Sequence, residues 1–260
     1  MKAVFGTMLF LLTMSSAWAE QCAFKDAALG LRPTPAQGPT EVTLQLYVND
    51  LISIHDADHV VVEDSFLGAN LLGDDTLRVA SCENFEVRAC RVEMANGDAI
   101  DFDISTGAIR DSEIIDARGD GIDLMTSNVE LVGNHIVRAG DKGISVGESS
   151  HSLVTDCTIL DSEIGVGIKD ASEPLLTGVT IQGCRTGISS YDKNWRYPGG
   201  GGGRIVNSTF SGNERALALD EDSTLRVENC RFGEDFVPPA KALLEGRLEI
   251  VDHQVAEADP

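Results

Sequence analysis

The chain has 260 residues, with 42 acidic against 20 basic side chains and a formal net charge of −22. So large a negative surplus repels nucleic acid and anionic membrane surfaces before contact, so we expect neither as a partner. It also disfavours direct binding of polyanionic sugars unless cations bridge the two. Alternatively, the acidity serves only to keep the protein soluble.

The first 19 residues have the three parts of a signal peptide. Lys2 supplies the positive charge, residues 3–14 form an apolar segment too short to span a bilayer, and Ala17-Trp18-Ala19 is a small-x-small cleavage site. We therefore expect a mature chain that starts at Glu20 and is periplasmic or secreted, the alternative being an uncleaved N-terminal anchor. No later stretch reaches the roughly 18 apolar residues that a membrane span needs.

Residues 47–233 contain an internal repeat with a period of 22 residues, flanked by two segments without it. Three apolar columns share this period. They are Ile100, Ile122, Ile144, Val166 and Ile188; then Val87, Ile109, Leu131, Leu153 and Leu175; and then Val92, Ile114, Ile136, Ile159 and Ile181. The longer step from Ile188 to Leu217 indicates a loop inserted around the glycine-rich tract at 199–203.

Each repeat also alternates apolar and polar residues, as in 99–103, and Gly-Asp or Asn-Gly turns separate the alternating segments. Alternation with period two is typical of strands that bury one face. Three short strands per repeat predict an all-β fold, a single-stranded right-handed parallel β-helix of seven to eight rungs. Because its ends expose core and strand edges, residues 20–46 and 234–260 are expected to cap them.

Six cysteines are present, none in a CxxC pair, and most are separated by several repeats. We therefore expect buried thiols and at most one disulfide, from Cys22 to Cys82 or Cys90. Cys90, Cys157 and Cys230 fall in one inward column roughly three rungs apart, which is too far for a bond and favours a packing role.

The outward positions of the strands that contain the first column form a polar face. Its two columns are Asp101, Asp123, Ser145, Gly167 and Ser189, and Asp103, Met125, Gly147, Lys169 and Tyr191. The adjoining bends and the inserted loop add further polar and aromatic residues. These are Asp98, Asp120, Asp141, Glu148, Asp170, Asp192, Lys193, Trp195, Arg196 and Tyr197.

Carboxylates on adjacent rungs lie about 5 Å apart, so they cannot all remain ionised without a cation, a lysine or a raised pKa. Asp101, Asp103 and Asp123 are candidate oxygen ligands for Ca²⁺. A pair with separated pKa values could instead perform acid–base chemistry, or these residues could simply be turn and surface residues. The aromatic rings of Tyr191 and Trp195 suit stacking on sugars.

The rungs that contain residues 119–123, 140–147 and 165–170 resemble the right-handed β-helix repeat proteins. This superfamily includes pectate lyases, polygalacturonases, alginate epimerases and NosD-like periplasmic proteins. The resemblance covers roughly residues 50–233, and it implies the fold more specifically than any activity.

Within that resemblance, Asp120 matches the first aspartate of the polygalacturonase pattern, and Asp141 matches the first of its aspartate pair. Lys142 replaces the second aspartate of the pair, and Glu163-Ile164-Gly165 stands where a Gly-His-Gly would be. An intact hydrolase apparatus is therefore not expected, and an epimerase-like Asp-Pro-His-Asp is also absent.

Two functional hypotheses follow. The first is a non-catalytic module that binds a polysaccharide, or a surface or periplasmic protein, along the aspartate-rich face, with Tyr191, Trp195, Lys193 and Asp170 as binding residues. The second is a Ca²⁺-assisted polyuronate lyase or epimerase in which Lys169 or Arg196 acts as base or charge stabiliser. A glycoside hydrolase that uses Asp120 and Asp141 is the weaker alternative.

Overall fold

The fold is described from a computed structural model, for residues 42–44, 46–48, 51–68, 74–234 and 236–256. The predicted leader at 1–19, most of the expected N-terminal cap, and Cys22 lie outside the described residues.

The described part of the chain consists of short strands joined by tight bends. In chain order the strands are β1 (Val42–Leu44), β2 (Tyr47–Val48), β3 (Ile52–His55), β4 (Val60–Glu63), β5 (Phe66–Gly68), β6 (Leu77–Ala80), β7 (Phe85–Arg88), β8 (Arg91–Glu93), β9 (Ile100–Asp103), β10 (Thr106–Arg110), β11 (Glu113–Ile115), β12 (Ile122–Met125), β13 (Asn128–Val132), β14 (His135–Val137), β15 (Lys142–Gly147), β16 (Leu153–Thr155), β17 (Thr158–Leu160), β18 (Ile164–Lys169), β19 (Leu175–Thr177), β20 (Thr180–Gln182), β21 (Thr186–Tyr191), β22 (Arg204–Val206), β23 (Thr209–Ser211), β24 (Arg215–Leu219), β25 (Leu225–Glu228), β26 (Arg231–Phe232), β27 (Leu248–Val251) and β28 (Gln254–Val255). Within these residues the only α-helix is α1 (Ala240–Leu244), and no helix among them is long and apolar enough to cross a membrane.

These strands form three parallel sheets. Eight turns of the coil contribute one strand to each sheet, and the last two described turns contribute strands to the first and second sheets only. The first sheet has the order β1-β4-β7-β10-β13-β16-β19-β22-β25-β27, the second β2-β5-β8-β11-β14-β17-β20-β23-β26-β28, and the third β3-β6-β9-β12-β15-β18-β21-β24. The predicted parallel β-helix is therefore confirmed. Its ten-, ten- and eight-stranded sheets make slightly more turns than the seven to eight predicted.

Backbone pairing follows the predicted register on the third and second sheets. Ile122 pairs with Ile100 and Ile144 in the third sheet, and Ile136 pairs with Ile114 and Ile159 in the second. These side chains are at most 1% exposed, because each rung can bury its apolar face only against its neighbours. The pairing of Ile188 with Leu217 confirms the inserted loop between β21 and β22.

The predicted second column is wrong in its last two members. Leu131 pairs with Val154, whereas Leu153 points outward and is 46% exposed. The turn between β15 and β16 contains one extra residue, with Glu148 and Ser149 both at positive φ, so the step there is 23 residues. The buried column continues through Leu176, not Leu175.

Strand stacking extends beyond both predicted limits of the coil. It begins at Val42 rather than at 47, and β27 and β28 continue it to Val255, past 233. The Phe236 ring stacks on Phe232 at 3.7 Å between centroids, where the C-terminal segment contacts the core.

The described cysteines are Cys82, Cys90, Cys157, Cys184 and Cys230, and all five have buried free thiols. Cys90, Cys157 and Cys230 occupy the predicted inward position, two residues before the paired second-sheet column.

Candidate functional site

The outward face of the third sheet, from β6 to β21, is here called the wall. Asp123 pairs with Asp101 on one side and Ser145 on the other, and Lys169 pairs with Tyr191. Although these side chains point away from the core, Asp101, Ser145 and Lys169 are buried. The wall is thus a packed polar layer rather than a solvated face.

A ladder of aspartates at the bend before each strand fixes one edge of the wall. Oδ1 of Asp75 accepts a hydrogen bond from the Asp98 amide at 3.3 Å, Asp98 Oδ1 accepts one from the Asp120 amide, and Asp120 Oδ1 accepts one from the Lys142 amide at 2.9 Å. Each carboxylate therefore binds the backbone of the following rung. These bonds make the aspartates structural as well as candidate functional groups.

Lys142 ends this ladder, and its ammonium lies between two carboxylates. Nζ is 3.1 Å from Asp120 Oδ1, and it also donates to Asp141. The Lys142 side chain is only 3% exposed, because its stem lies over Gly167, where no side chain stands in the way. Burial by itself would lower the pKa of Lys142, but Asp120 and Asp141 more than offset it and raise that pKa.

Lys169 lies in a second slot, over Gly147, and extends back toward the strand that bears Asp123. Its Nζ is 3.7 Å from Asp123 Oδ1, and its side chain is 5% exposed. Burial opposes its charge, whereas Asp123 and Glu148 favour it, with a net rise in the pKa of Lys169.

Three carboxylates meet beside these lysines. One oxygen from each of Asp98, Asp120 and Asp123 lies within 4.8 Å of the others. Burial, opposed by the bond from the Asp120 amide and reinforced by neighbouring carboxylates, raises the pKa of Asp98 to about 7. Asp123 Oδ1 and the fully buried Ser145 Oγ have no hydrogen-bond partner within the described structure. An oxygen-preferring cation suits this donor set.

The structure groups Asp123 with Asp98 and Asp120 rather than with the expected Asp101 and Asp103. Arg78, one rung earlier, lies 3.4 Å from Asp101 and forms a hydrogen-bonded ion pair with Asp103. Burial and the charge of Asp103 raise the pKa of Asp101 to about 8. The repeated Gly-Asp-x-Ile-Asp of 97–101 and 119–123 was the sequence signal that could have identified Asp98.

The remaining predicted residues lie on or under the inserted loop. Asp170 is fully buried, and its Oδ1 accepts from the amides of Lys193 at 2.7 Å and Asn194 at 2.6 Å, so it anchors the loop. Trp195 is 82% exposed, and the Arg196 guanidinium lies 5.5 Å from its ring centroid. Tyr191 is half-buried on β21.

Comparison with known proteins supports the fold. A family model described as the right handed beta helix region matches residues 75–232. The Siphovirus 9NA tailspike receptor binding domain is similar with a TM-score of 0.58 and 9% identity, over 80% of this chain and 49% of that chain. The catalytic unit of a thermostable GH87 alpha-1,3-glucanase from Streptomyces thermodiastaticus strain HF3-3 is similar with a TM-score of 0.54 and 12% identity, over 84% of this chain and 50% of that chain.

The chain spans about half the length of these two structures, and at such identities the likeness shows the fold alone. A search of curated proteins finds no match.

Proposed function

The chain belongs to the right-handed β-helix family, and we propose that it is an exported protein that binds an acidic polysaccharide along the wall. A divalent cation such as Ca²⁺, held by Asp98, Asp120 and Asp123, would link the polymer to the protein. The observation that carries the proposal is the meeting of these three carboxylates within 4.8 Å, with an Asp123 oxygen that accepts no hydrogen bond.

A bound cation would also offset the electrostatic repulsion between this acidic protein and an anionic polymer. A chain with a net charge of −22 repels an anionic polymer. Ca²⁺ accepts six to eight oxygen ligands, so three protein carboxylates leave positions that a uronate carboxylate can fill. The carboxylates of the protein and of the polymer would then bind the same cation instead of repelling each other.

The test is cation-dependent binding. We expect polygalacturonate or alginate to bind in the presence of Ca²⁺, as measured by calorimetry, and we expect chelator to abolish binding. Asp123→Asn should weaken the affinity by at least about tenfold, because it removes one charged ligand. The matched control is Asp111→Asn, at an exposed bend outside the wall whose φ of 49° asparagine tolerates. Binding that survives chelator, or an Asp123→Asn variant that binds like wild type, would rule out this function.

The ammonium of Lys169 supports a second candidate, β-elimination at the same site. Lys169 Nζ lies 3.7 Å from Asp123 Oδ1, next to the three carboxylates. Asp123 and Glu148 favour its ammonium form, so Lys169 would act as the base only once cation binding to Asp123 offsets that effect. The neutral amine would then take the proton beside the uronate carboxyl group. The bond to the leaving sugar oxygen then breaks, a carbon–carbon double bond forms, and solvent protonates that oxygen. The bound cation would supply neutralisation of the uronate carboxylate.

Elimination is detected as new ultraviolet absorbance from the unsaturated product. Lys169→Met should abolish this signal while leaving cation-dependent binding measurable, which controls for folding. No absorbance change from wild-type protein on pectate, alginate and related polymers would eliminate the lyase and leave the binding proposal standing.

A further inference from the structure

A cleft of about 710 Å³ lies at the C-terminal end of the wall. The inserted loop, the turn after β24 and the C-terminal segment around α1 form its sides. Its principal lining residues are Asp192, Lys193, Trp195, Glu221, Asp222 and Lys241. The carboxylate cluster that contains Asp123 on β12 is separated from β24 by four strand spacings, or about 19 Å.

The loop presents Trp195 on a fixed backbone. The Asp192 amide donates to Asp220 Oδ2 at 2.7 Å, Asp170 binds the next two amides, and the Tyr197 amide donates to the Asn194 carbonyl at 2.8 Å. The backbone is thus tied down on both sides of an indole that remains 82% exposed. A large exposed aromatic on an ordered loop is typical of a contact surface, and its flat face suits the apolar face of a pyranose ring.

The charge of the cleft selects against an acidic sugar. Asp192, Glu221 and Asp222 are exposed carboxylates that can accept hydrogen bonds from sugar hydroxyls. Asp220 also lines the cleft, so four carboxylates face three basic side chains, Lys193, Lys241 and Arg247. Arg247 is bonded to Glu245 at 2.7 Å, and Lys241 lies 3.9 Å from the same carboxylate, which adds a further negative charge beside the lining. The net charge of the cleft is therefore negative by one to two units, which disfavours a uronate and tolerates an uncharged ring.

We propose that this cleft binds a neutral pyranose residue of the same polymer whose acidic residue is bound at the wall. The preferred ligand is then an acidic heteropolysaccharide that contains neutral sugars, and a homopolymer of uronate binds more weakly, at the wall alone. This inference rests on the proposed function for its substrate class. The neutral-sugar site itself depends only on the cleft.

The first experiment compares two polymers of equal length in the presence of Ca²⁺: one alternates uronate with a neutral sugar, and the other contains uronate alone. We expect wild-type protein to bind the alternating polymer about tenfold more tightly, as stacking on an aromatic ring contributes. Trp195→Ala should remove this difference and leave homopolymer binding unchanged. Leu244→Ala, at an exposed apolar residue of α1 outside the cleft, is the matched control.

Equal affinity of wild type for the two polymers, or an equal loss on both in Trp195→Ala, would overturn the inference. A second experiment separates the two proposals, because neutral oligosaccharides in chelator bypass the wall. Binding there that depends on Trp195 supports the cleft even if the cation site fails. Absence of that binding, with Ca²⁺-dependent homopolymer binding intact, overturns the cleft alone.

Discussion

The first sheet and the wall both carry pairs of oppositely charged side chains on neighbouring rungs, but the pairs are exposed on the first sheet and buried on the wall. On the first sheet, Arg110 pairs with Glu130 with the two side chains 35% and 51% exposed. On the wall, Lys142 pairs with Asp120 with the two side chains 3% and 7% exposed. Exposed pairs cost little and contribute little, whereas burying a charge costs several kcal/mol before any partner repays it.

The difference shows where the coil departs from what stability alone requires. A β-helix needs its inward ladders, and surface Arg–Glu pairs serve for solubility on the first sheet. Buried lysines beside clustered carboxylates are not needed for stacking, and perturbed titratable groups of this kind are typical of functional sites. Under the proposed function, ligand binding at the wall would account for these residues, which packing does not explain.

The largest expected effect is a difference in stability between removing the basic residue of the wall pair and removing that of the first-sheet pair. Lys142→Met should destabilise the protein by about 3–5 kcal/mol, because it leaves Asp120 buried without its cation. Arg110→Met on the first sheet should cost less than about 1 kcal/mol. Urea denaturation of both variants measures the difference, and similar losses would show that wall and surface charges are energetically alike.

Sequence periodicity is sufficient to predict the fold, since Ile100, Ile122 and Ile144 repeat at the coil's own period. It failed at Leu153 because the extra residue in the preceding turn shifts the register by one, and the neighbouring Val154 is equally apolar. Because both residues are apolar, the hydrophobic pattern of the sequence does not show this one-residue shift in register, although the shift decides which of the two side chains faces the core.

The candidate site was harder to predict, because it depends on where long side chains extend. Strand register places Asp123 on the wall, but its grouping with Asp98 depends on the bend ladder. Arg78 contacts Asp101 from the preceding rung, and this contact depends on how far a long side chain extends rather than on the spacing of the repeat. The position of Lys169 depends on the empty space above Gly147. None of these features follows from periodicity.

A smaller effect concerns pH. The carboxyls of Asp98 and Asp101 have folded-state pKa values of about 7 and about 8, above the ordinary 3.8, chiefly because they are buried. The folded protein therefore binds these protons more tightly than the unfolded chain does. This contribution to stability is complete below about pH 4 and is lost as the pH rises through 7 to 8.

Asp98→Asn isolates this contribution, since the amide oxygen can still accept from the Asp120 backbone. We expect the variant to be more stable than wild type at pH 8 by on the order of 2 kcal/mol, after allowance for partial exposure, and unchanged near pH 4. Thermal unfolding across this range, without divalent cations, gives the comparison. A wild-type profile with the same slope as the variant would show that Asp98 does not titrate there.

The smallest change in stability is expected from Gly147→Ala, which probes the wall without altering a charged residue. A Cβ at this position would meet Cε, Cγ and Cδ of Lys169, so this flexible side chain has to shift along its whole length. The shift costs less than Lys142→Met, because the Asp123 side chain is 21% exposed and water can solvate it. Gly147 is not at positive φ, and alanine is therefore free of backbone strain there. Gly233→Ala is the matched control, because its nearest neighbours lie 3.9 Å from the added carbon.

Both variants should unfold within about 1 kcal/mol of wild type. Only Gly147→Ala should change cation-dependent polymer binding or product formation, because only it displaces an ammonium from Asp123. If both variants retain wild-type function, the placement of Lys169 over Gly147 has no functional role, and the wall differs from the first sheet in burial alone.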